Sequence, residues 1–252
     1  MSEPLFQIQH LTKSYGGRRV LDDLTFDIHA GECLVILGRS GSGKSVTLRQ
    51  LNGLERPDSG RVIFDGLDLS ELTERQLYPV RRRVSMLFQG GALFDSLNVY
   101  ENIAFPLREH TDLDEEAIAA TVRRKLDLVR LADIEDRMPS ALSGGMRKRV
   151  ALARSLALDP KVVLFDEPTT GLDPMTAATI GHLIRNIQRE LGVTAVVVTH
   201  DLPLTDRVAD RIAFLDAGSF RFTGTLDQAR ASEDRLLRAF LEGREEERED
   251  VA

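Results

Sequence analysis

The sequence predicts an α/β protein with a parallel central sheet that is buried on both faces. Three short apolar runs, each rich in leucine or β-branched residues and each followed by glycine or polar residues, are typical of strands in such a sheet. They are CLVIL at 33–37, VVLF at 162–165 and TAVVV at 194–198. Helical patterns between or after these runs lie at 44–53, 174–191 and 203–209. Strands that alternate with helices in this way indicate the α/β class.

The first part of the chain has a different pattern, in which apolar and polar residues alternate. This pattern predicts half-exposed antiparallel strands with turns at GGR and DSG. The strands are FQIQHLTKSY at 6–15, VLDDLTFDIH at 20–29 and GRVIFDG at 60–66.

A mostly helical part, inserted into the α/β core, is predicted at about 90–155. Within it, Asp112 followed three residues later by Glu115 is typical of a helix start. One face of that helix is apolar and carries Ile118, Val122, Leu126 and Val129.

Length and composition limit the possible functions. The 252 residues fit one domain, predicted at 5–241, followed by a charged and flexible tail at 242–252. The net charge of −7 disfavours a general nucleic-acid-binding surface. The single cysteine, Cys33, lies in an apolar run, which indicates a packing role and a reducing compartment. The first residues do not resemble a signal peptide and no apolar run approaches ~20 residues, so a membrane role requires a partner.

The segment GRSGSGKS at 38–45 matches the phosphate-binding pattern G-x-x-x-x-G-K-[ST]. It follows a predicted strand and precedes a predicted helix, and this context disfavours the alternative of a flexible turn that happens to contain a lysine. Glycines let successive N–H groups face phosphate oxygens, and the helix start adds a positive dipole end. Lys44 is expected to reach the β- and γ-phosphates of a nucleotide, and the Ser45 hydroxyl to bind Mg²⁺.

Polar residues follow the two other predicted parallel strands. Asp166 and Glu167 come at the carboxyl end of VVLFDEP, where ligand sites form in parallel sheets. Asp166 is expected to hold Mg²⁺ and Glu167 to act as general base for an attacking water. Alone, the pair could be two solvated acids before a loop. His200 ends the next strand, and a γ-phosphate contact is the preferred interpretation over a structural or simply exposed histidine.

The run LSGGMRKRVALARSLALDPKVVLFDEPTTGLDP at 142–174 resembles the ATP-binding-cassette (ABC) transporter ATPases, in which an LSGG signature leads into the Asp-Glu strand. The resemblance extends over nearly the whole chain. It implies a P-loop NTPase core of ABC type with an antiparallel β subdomain and an inserted helical subdomain. It also implies ATP and Mg²⁺ as cofactors. Met146 is a departure, because many relatives have glutamine there.

The resemblance assigns roles to individual residues. Tyr15 matches the aromatic that stacks on adenine, although it could be only a turn residue, and Gln89 matches the glutamine that links Mg²⁺ and water to the helical part. The expected catalytic residues are Glu167, His200, Gln89 and Lys44, and the expected Mg²⁺ ligands are Ser45, Gln89 and Asp166. The expected nucleotide-binding residues are Tyr15, Gly38, Arg39, Ser40, Gly41, Ser42, Gly43, Lys44, Ser45, Val46, Ser143, Gly144, Gly145 and Asp173.

The signature residues imply a dimer. Small residues at a helix start expose N–H groups that favour an anion, and Ser143 is also a common helix cap. Within one subunit this second phosphate cradle is redundant. The resemblance implies that two subunits pack head to tail, so that residues 143–145 of each cap the γ-phosphate at the partner's phosphate loop. One such domain in the chain implies a homodimer or a pairing with a close relative.

The stretch LFQGGALFDSLNVYENIAFPLREHT at 87–111, extended by Met86, closely resembles the ATPases of the Mla and Mce lipid-transport systems. The resemblance implies an ATPase subunit for phospholipid or related lipid traffic, driving a separate integral membrane permease and located on the inner face of the inner membrane. It further implies a small regulatory subunit and a lipid-binding substrate protein as partners. The alternatives are an ATPase for polar solutes such as amino acids, or a non-transport ABC switch in DNA repair or translation. The stretch could also be an ordinary surface packed on its own helices.

Overall fold

Ten strands and nine α-helices occupy residues 4–244, the part of the chain that the computed structural model describes. The strands are β1 (Phe6–Tyr15), β2 (Arg18–Ile28), β3 (Cys33–Leu37), β4 (Ser59–Phe64), β5 (Leu67–Asp68), β6 (Val84–Leu87), β7 (Val162–Asp166), β8 (Thr194–Thr199), β9 (Arg211–Asp216) and β10 (Ser219–Gly224). The helices are α1 (Lys44–Leu51), α2 (Glu74–Arg83), α3 (Val99–His110), α4 (Glu115–Leu128), α5 (Gly144–Ser155), α6 (Pro174–Leu191), α7 (Leu202–Val208), α8 (Leu226–Arg230) and α9 (Arg235–Leu241), with a short 3₁₀ helix at Pro139–Ala141.

A six-stranded sheet in the order β10-β9-β3-β8-β7-β6 forms the centre of the fold. The five strands from β9 to β6 are parallel, and β10 pairs antiparallel at the edge. The predicted strands at 33–37, 162–165 and 194–198 are β3, β7 and β8, and every residue of these three is buried. The prediction of a doubly covered parallel sheet is therefore confirmed, while β6, β9 and β10 were not predicted.

Each face of this sheet packs on a separate hydrophobic core. Along β3, Cys33, Val35 and Leu37 contribute to the core shared with α3 to α7. Leu34 and Ile36 contribute to the core shared with α1 and the N-terminal strands. The alternation follows from the two-residue period of a strand. Cys33 is a packing residue, as predicted, and burial raises the pKa of its thiol.

A second sheet is antiparallel throughout, in the order β2-β1-β4-β5, which confirms the predicted antiparallel β part. It is joined to the first sheet at the turn between β9 and β10. The Asp22 N–H donates to the Gly218 carbonyl at 2.8 Å, and the Ser219 hydroxyl donates to the Asp22 carbonyl at 3.0 Å. These bonds place β2 beside the carboxyl edge of β3.

The helical part contains α3, α4, the 3₁₀ helix and α5. On α4, Ile118, Val122 and Leu126 are buried, as is Val129, so the predicted apolar face is confirmed. The predicted start at Asp112 is wrong, because Asp114 caps the helix by accepting from the Ala117 N–H at 2.9 Å.

Glu115 is the first residue of α4 and does not form a capping box with Asp112. Its carboxylate accepts from the Arg108 guanidinium of α3 at 2.8 Å and so is turned towards the neighbouring helix.

The bounds of 90–155 for the helical subdomain and of 5–241 for the domain stay predictions. Of the predicted tail at 242–252, residues 245–252 lie outside the described part.

Among residues 4–244, no helix combines the length and the apolarity needed to cross a lipid bilayer.

Candidate nucleotide-binding site

The loop between β3 and α1 is shaped by glycines that no other residue could replace without strain or collision. Gly41 and Gly43 have positive φ angles of 77° and 106°, which L side chains rarely adopt. A Cβ on Gly43 would lie 2.9 Å from the Val20 carbonyl oxygen of β2. A Cβ on Gly38 would lie 2.4 Å from the Leu215 carbonyl oxygen of β9. The loop is therefore held between β2 and the central sheet.

Lys44, the first residue of α1, folds back into this loop. Its side chain is 7% exposed, and Nζ donates to the Gly38 carbonyl at 2.8 Å and the Arg39 carbonyl at 3.0 Å. Burial lowers the pKa of the Lys44 amine, while the nearby carboxylates of Glu167 and Asp166 oppose that shift. Beside it, the Ser42 hydroxyl is buried and has no hydrogen-bond partner in the described part of the chain. A buried cation and an unpaired hydroxyl in one loop are suited to an anionic ligand.

Ser45 and Asp166 meet at the carboxyl edge of the sheet. The Ser45 hydroxyl donates to Asp166 Oδ1 at 2.7 Å, and the Asp166 side chain is 8% exposed at the end of β7. Hydroxyl, carboxylate and amide oxygens are the hard ligands that Mg²⁺ prefers. The pair, together with the amide of Gln89 on the same cavity, fits a Mg²⁺ ion beside a nucleotide phosphate.

Glu167 follows Asp166 with an unusual backbone. Its φ angle is +47°, in the left-handed region that costs free energy for a residue other than glycine. The Thr199 hydroxyl donates to Glu167 Oε2 at 3.2 Å, and His200 Nδ1 lies 3.0 Å from the carboxylate. Lys44 Nζ lies 3.6 Å from Glu167 Oε1. Strained backbone of this kind is common at functional sites, and here it turns the carboxylate towards the phosphate loop.

These groups surround one cavity of about 550 Å³, called the nucleotide cavity below. Ten of the residues expected at the site line it: Arg39, Ser40, Gly41, Gly43, Lys44, Ser45, Val46, Gln89, Glu167 and His200. Gly38, Ser42 and Asp166 lie directly behind this lining, in the loop and at the end of β7.

Two lining residues, Val20 and Thr170, were not expected. Thr170 forms a turn with Glu167, since its N–H donates to the Glu167 carbonyl at 3.2 Å. Its position three residues after the Asp-Glu pair is a signal that sequence reasoning could have used. Val20 reaches the cavity only because β2 packs on Gly43, and its local sequence carries no sign of that contact.

Five further expected residues, Tyr15, Ser143, Gly144, Gly145 and Asp173, are also not among those that line the nucleotide cavity. Tyr15, at the exposed end of β1, donates from its hydroxyl to Glu55, and Lys13 Nζ lies 5.5 Å from the centre of its ring. Burial and the Glu55 hydrogen bond raise the pKa of Tyr15.

Ser143, Gly144 and Asp173 form a separate exposed surface, and Gly145 is buried beside it. Ser143 caps α5 by accepting from the Met146 N–H at 3.2 Å, which confirms the predicted cap. Asp173 caps α6, and hydrogen bonds from Thr176 hold the pKa of its carboxyl below the usual range. Gly145 packs on Thr176, so the two helix starts are adjacent. Met175, next to this surface, is 83% exposed.

A glycine-rich loop between a buried parallel strand and a helix, with a lysine inside it and a serine–aspartate pair beside it, defines a phosphate-loop nucleotide-binding protein. The ABC transporter family matches residues 21–170 of this chain. The chain belongs to that family and is an ATPase.

Relatives of known name extend over nearly the whole chain. It is 44% identical over 238 residues to the probable ribonucleotide transport ATP-binding protein mkl of Mycobacterium leprae. The alignment covers 94% of this chain and 69% of the mycobacterial protein. It is 41% identical over 239 residues to the intermembrane phospholipid transport system ATP-binding protein MlaF of Escherichia coli K12. That alignment covers 95% of this chain and 89% of MlaF. The chain thus spans about two thirds of the mycobacterial relative and nearly all of MlaF.

Solved structures of two cassettes are similar to this fold. The dimeric ATP-binding cassette MJ0796, in a post-hydrolysis state bound to ADP and phosphate, has a TM-score of 0.81 and 32% identity, with 88% of this chain and 98% of that one covered. The protein cbiO1 of Clostridium perfringens, part of the transporter complex cbiONQ, has a TM-score of 0.84 and 30% identity, with 95% and 96% covered.

Proposed function

We propose that this chain is the ATP-hydrolysing subunit of an ABC transporter that moves phospholipid or a related lipid between membranes by driving a separate permease. The observation that carries the lipid assignment is its 41% identity to MlaF over 95% of this chain and 89% of MlaF. The mycobacterial relatives are named for ribonucleotide transport, so a permease for polar solutes is the alternative that the experiment must exclude.

The phosphate loop and Lys44 bind ATP in this proposal. Backbone N–H groups of residues 38–45 and the start of α1 attract the phosphate oxygens. The Lys44 amine exchanges the Gly38 and Arg39 carbonyls for the β- and γ-phosphates. The Ser42 hydroxyl, which has no partner within residues 4–244, gains one there. Tyr15 stacks on adenine at the rim.

Ser45, Asp166 and Gln89 are the proposed Mg²⁺ ligands. A bound Mg²⁺ ion would neutralise charge that develops on the transferred phosphate. A 2.7 Å hydrogen bond holds the Ser45 and Asp166 oxygens next to each other.

Glu167 is the proposed general base, and His200 is its partner. In this proposal Glu167 accepts a proton from a water that attacks the γ-phosphate. The Thr199 hydroxyl and the His200 ring fix its carboxylate, and the exposed His200 side chain remains available for a γ-phosphate contact.

A head-to-tail homodimer completes the site in this proposal. Ser143 and Gly144 are exposed and lie outside the chain's own nucleotide cavity. The Met146 N–H donates to the Ser143 hydroxyl, whereas the N–H groups of Gly144 and Gly145 have no intrahelical acceptor and are proposed to bind a partner's γ-phosphate. Asp173 and the exposed Met175 extend the same surface. The similar cassette MJ0796 was solved as a dimer.

The permease is proposed to bind a groove of about 410 Å³ between α2, β6, α3 and α5. Its rim carries the exposed aromatics Tyr78 and Phe88. Its polar lining includes Arg81, which pairs with Glu74 at 2.8 Å, together with Arg82 and Arg154. No carboxylate is among the described lining residues. The groove therefore suits a permease segment that is apolar and carries an acidic residue. Much of this lining belongs to the 86–111 stretch whose sequence resembles lipid-transport ATPases.

The remaining partners follow from the same assignment. The chain is proposed to lie on the cytoplasmic face of the inner membrane, where the permease holds it. A small regulatory subunit and a lipid-binding substrate protein are proposed as further partners of the transporter. Binding of ATP closes the dimer, and hydrolysis reopens it.

Purification of the tagged full-length chain from membranes of its own host tests this proposal. We expect a multi-spanning membrane protein and bound phospholipid to copurify, and the purified complex to hydrolyse ATP. Copurification with a polar-solute-binding protein and no lipid would support the alternative transporter. Ribosomes or DNA in place of a membrane protein would indicate a non-transport switch.

Two substitutions in the groove make the test specific. Tyr78→Asp and Phe88→Asp place a charge on its exposed apolar rim and should abolish copurification of the permease while ATP binding is retained. Leu67→Asp is the matched control, because Leu67 is 46% exposed on β5 and lies outside the groove. Equal permease yields from all three variants would contradict the assigned groove.

A further inference from the structure

Helix α5, which begins at the signature, is attached to the loop after β6 at two points. Lys148 Nζ donates to the backbone carbonyl of Gln89. Six residues further along α5, Arg154 Nη1 donates to the backbone carbonyl of Ala92 at 2.7 Å. The two cations therefore bind the same loop, one at each end of the 89–92 segment.

The loop between these two bonds contacts α5 and has a conformationally costly backbone. Gly91 has a φ angle of +80°, and a Cβ built on it would lie 3.4 Å from Ala151 Cβ of α5. Ala92 has a φ angle of +50°, which a residue with a side chain rarely adopts. A backbone of this shape needs outside contacts to hold it, and α5 provides them.

Both cations are partly or fully removed from water. Lys148 is 8% exposed, and burial lowers the pKa values of its amine and of the Arg154 guanidinium. For Lys148, the charges of Asp166 and Glu167 oppose that shift. The Arg154 guanidinium also lies 4.7 Å from the centre of the Phe94 ring. Desolvating a charge is expensive and is weak evidence for a purely stabilising role, so a positioning role is the better explanation.

The same loop connects the two proposed functional surfaces. The side chain of Gln89 borders the nucleotide cavity, whereas Gly91 and Ala92 line the permease groove together with Arg154. The four residues 89–92 thus connect the nucleotide cavity to the permease groove.

We propose that Lys148 and Arg154 are positioning residues that fasten the 89–92 loop to α5, so that Gln89 at the nucleotide cavity and the permease groove move together with the signature end of that helix. The effect on turnover rests on the proposed function, in which Gln89 acts on Mg²⁺ and water. The attachment itself is independent of that function and is measured separately.

Hydrogen exchange of the nucleotide-free, full-length chain tests the attachment. Lys148→Met and Arg154→Met keep most of the side-chain length and remove the donor. We expect backbone amides of residues 88–94 to exchange roughly tenfold faster in each variant, because a charge-assisted hydrogen bond that opposes local opening is lost.

Arg149→Met is the matched control. Arg149 lies on the same helix and also donates to a backbone carbonyl, that of Arg130, at 3.0 Å. Its loss should accelerate exchange near residue 130 and leave residues 88–94 unchanged. Unchanged exchange at 88–94 in both test variants, or equal acceleration in the Arg149 control, would overturn the proposal.

Steady-state kinetics then test the consequence for the site. We expect Lys148→Met to lower kcat roughly tenfold, as is typical when a residue that orients a ligand is removed, with the Kd for ATP unchanged and activity partly restored in Lys148→Arg. In the Gln89→Ala background, Lys148→Met should have little further effect, because both changes act on one group. Fully additive losses would overturn the coupling through Gln89.

A wild-type chain that does not hydrolyse ATP would contradict the proposed function. The hydrogen-exchange experiment would still decide whether Lys148 and Arg154 attach the loop to α5.

Discussion

His200 Nδ1 lies 3.0 Å from the carboxylate of Glu167, and these two side chains end neighbouring parallel strands. Asp166 of β7 pairs with Val198 of β8, so the residues that follow each strand meet at the same edge. The Glu167 side chain is 12% exposed and that of His200 is 63% exposed. The largely covered carboxylate is therefore fixed by a histidine that itself faces the open side of the cavity.

Glu167→Gln should slow ATP turnover by about 10²–10⁴-fold, the usual contribution of general-base catalysis. Glutamine has the same shape and can still accept hydrogen bonds from Thr199 and His200, so ATP binding and folding should be retained. The measurement is kcat together with the Kd for ATP. Glu190→Gln, an exposed position on α6, is the control. Near-normal turnover of Glu167→Gln would contradict its assignment as the base.

His200→Ala should lower kcat by less than Glu167→Gln does. The Thr199 hydroxyl still donates to Glu167 at 3.2 Å and retains part of the orientation of the carboxylate. If His200 acts partly through Glu167, its loss in the Glu167→Gln background should cost less than in the wild type. Equal losses in the two backgrounds would show that the histidine acts on substrate alone.

Local patterns predicted the parts of the fold whose signals lie within one segment. Helix α6 was predicted with its observed bounds of 174–191. In the structure Asp173 caps it and Pro174 occupies its first turn, and both are local signals of a helix start. The strand β3 was predicted because five consecutive apolar residues precede the glycine loop. Helix α2 was missed although Thr73 and Gln76 form a capping box, since three arginines and Pro79 obscure its apolar face.

The parts that were missed depend on tertiary packing. Val20 borders the nucleotide cavity because β2 lies against Gly43, and Lys148 reaches Gln89 across 59 residues of sequence. Neither contact has a periodic or spacing signal. The phosphate-loop motif and the shared sheet edge brought together Lys44, Ser45 and Asp166. Residues 143–145 were assigned to a partner's phosphate loop by the family resemblance and not by a local pattern, and they are not among the residues that line this chain's own cavity.

Asp210→Asn should reduce stability in a pH-dependent way. Asp210 accepts from the Cys33 N–H at 2.9 Å and pairs with Arg185 at 2.7 Å. Burial alone raises the pKa of Asp210, but the Arg185 hydrogen bond and the other donors outweigh it and bring the pKa below its ordinary value of 3.8. Because this carboxylate is 35% exposed and screened by water, we expect a loss of about 1 kcal/mol at pH 7.

The sign of the pH dependence follows from the lowered pKa. A carboxyl group with a folded-state pKa below its unfolded value stabilises the fold at any pH above the unfolded value and loses that effect as pH falls through the folded value. The difference between wild type and Asp210→Asn should therefore be constant from pH 7 to about pH 5 and shrink below pH 3.8. Urea unfolding across this range measures it, with the highly exposed Asp227→Asn as control. A difference that grows on acidification would exclude the ion pair as its source.

Gly145→Ala should destabilise the nucleotide-free chain by about 1–3 kcal/mol, the usual cost of overpacking. A Cβ at this position would lie 2.4 Å from the Thr176 methyl group of α6. Threonine is stiff at χ1 and cannot readily turn that methyl away. Gly144→Ala is the matched control, since its Cβ would meet only Leu172 Cδ2 at an ordinary 3.7 Å. Thermal or urea unfolding of both variants provides the comparison.

Thr176→Ser decides why Gly145 must be small. Neither Gly144 nor Gly145 is among the residues with positive φ in the described part of the chain, so backbone strain predicts no difference between them. Steric collision predicts that Thr176→Ser, which removes only the colliding methyl, restores most of the stability lost in Gly145→Ala. A double-mutant cycle with a coupling of at least about 1 kcal/mol would establish that contact. If the two substitutions are additive, the start of α5 loses stability for a reason unrelated to α6. The position of residues 143–145 beside Asp173 would then need another cause.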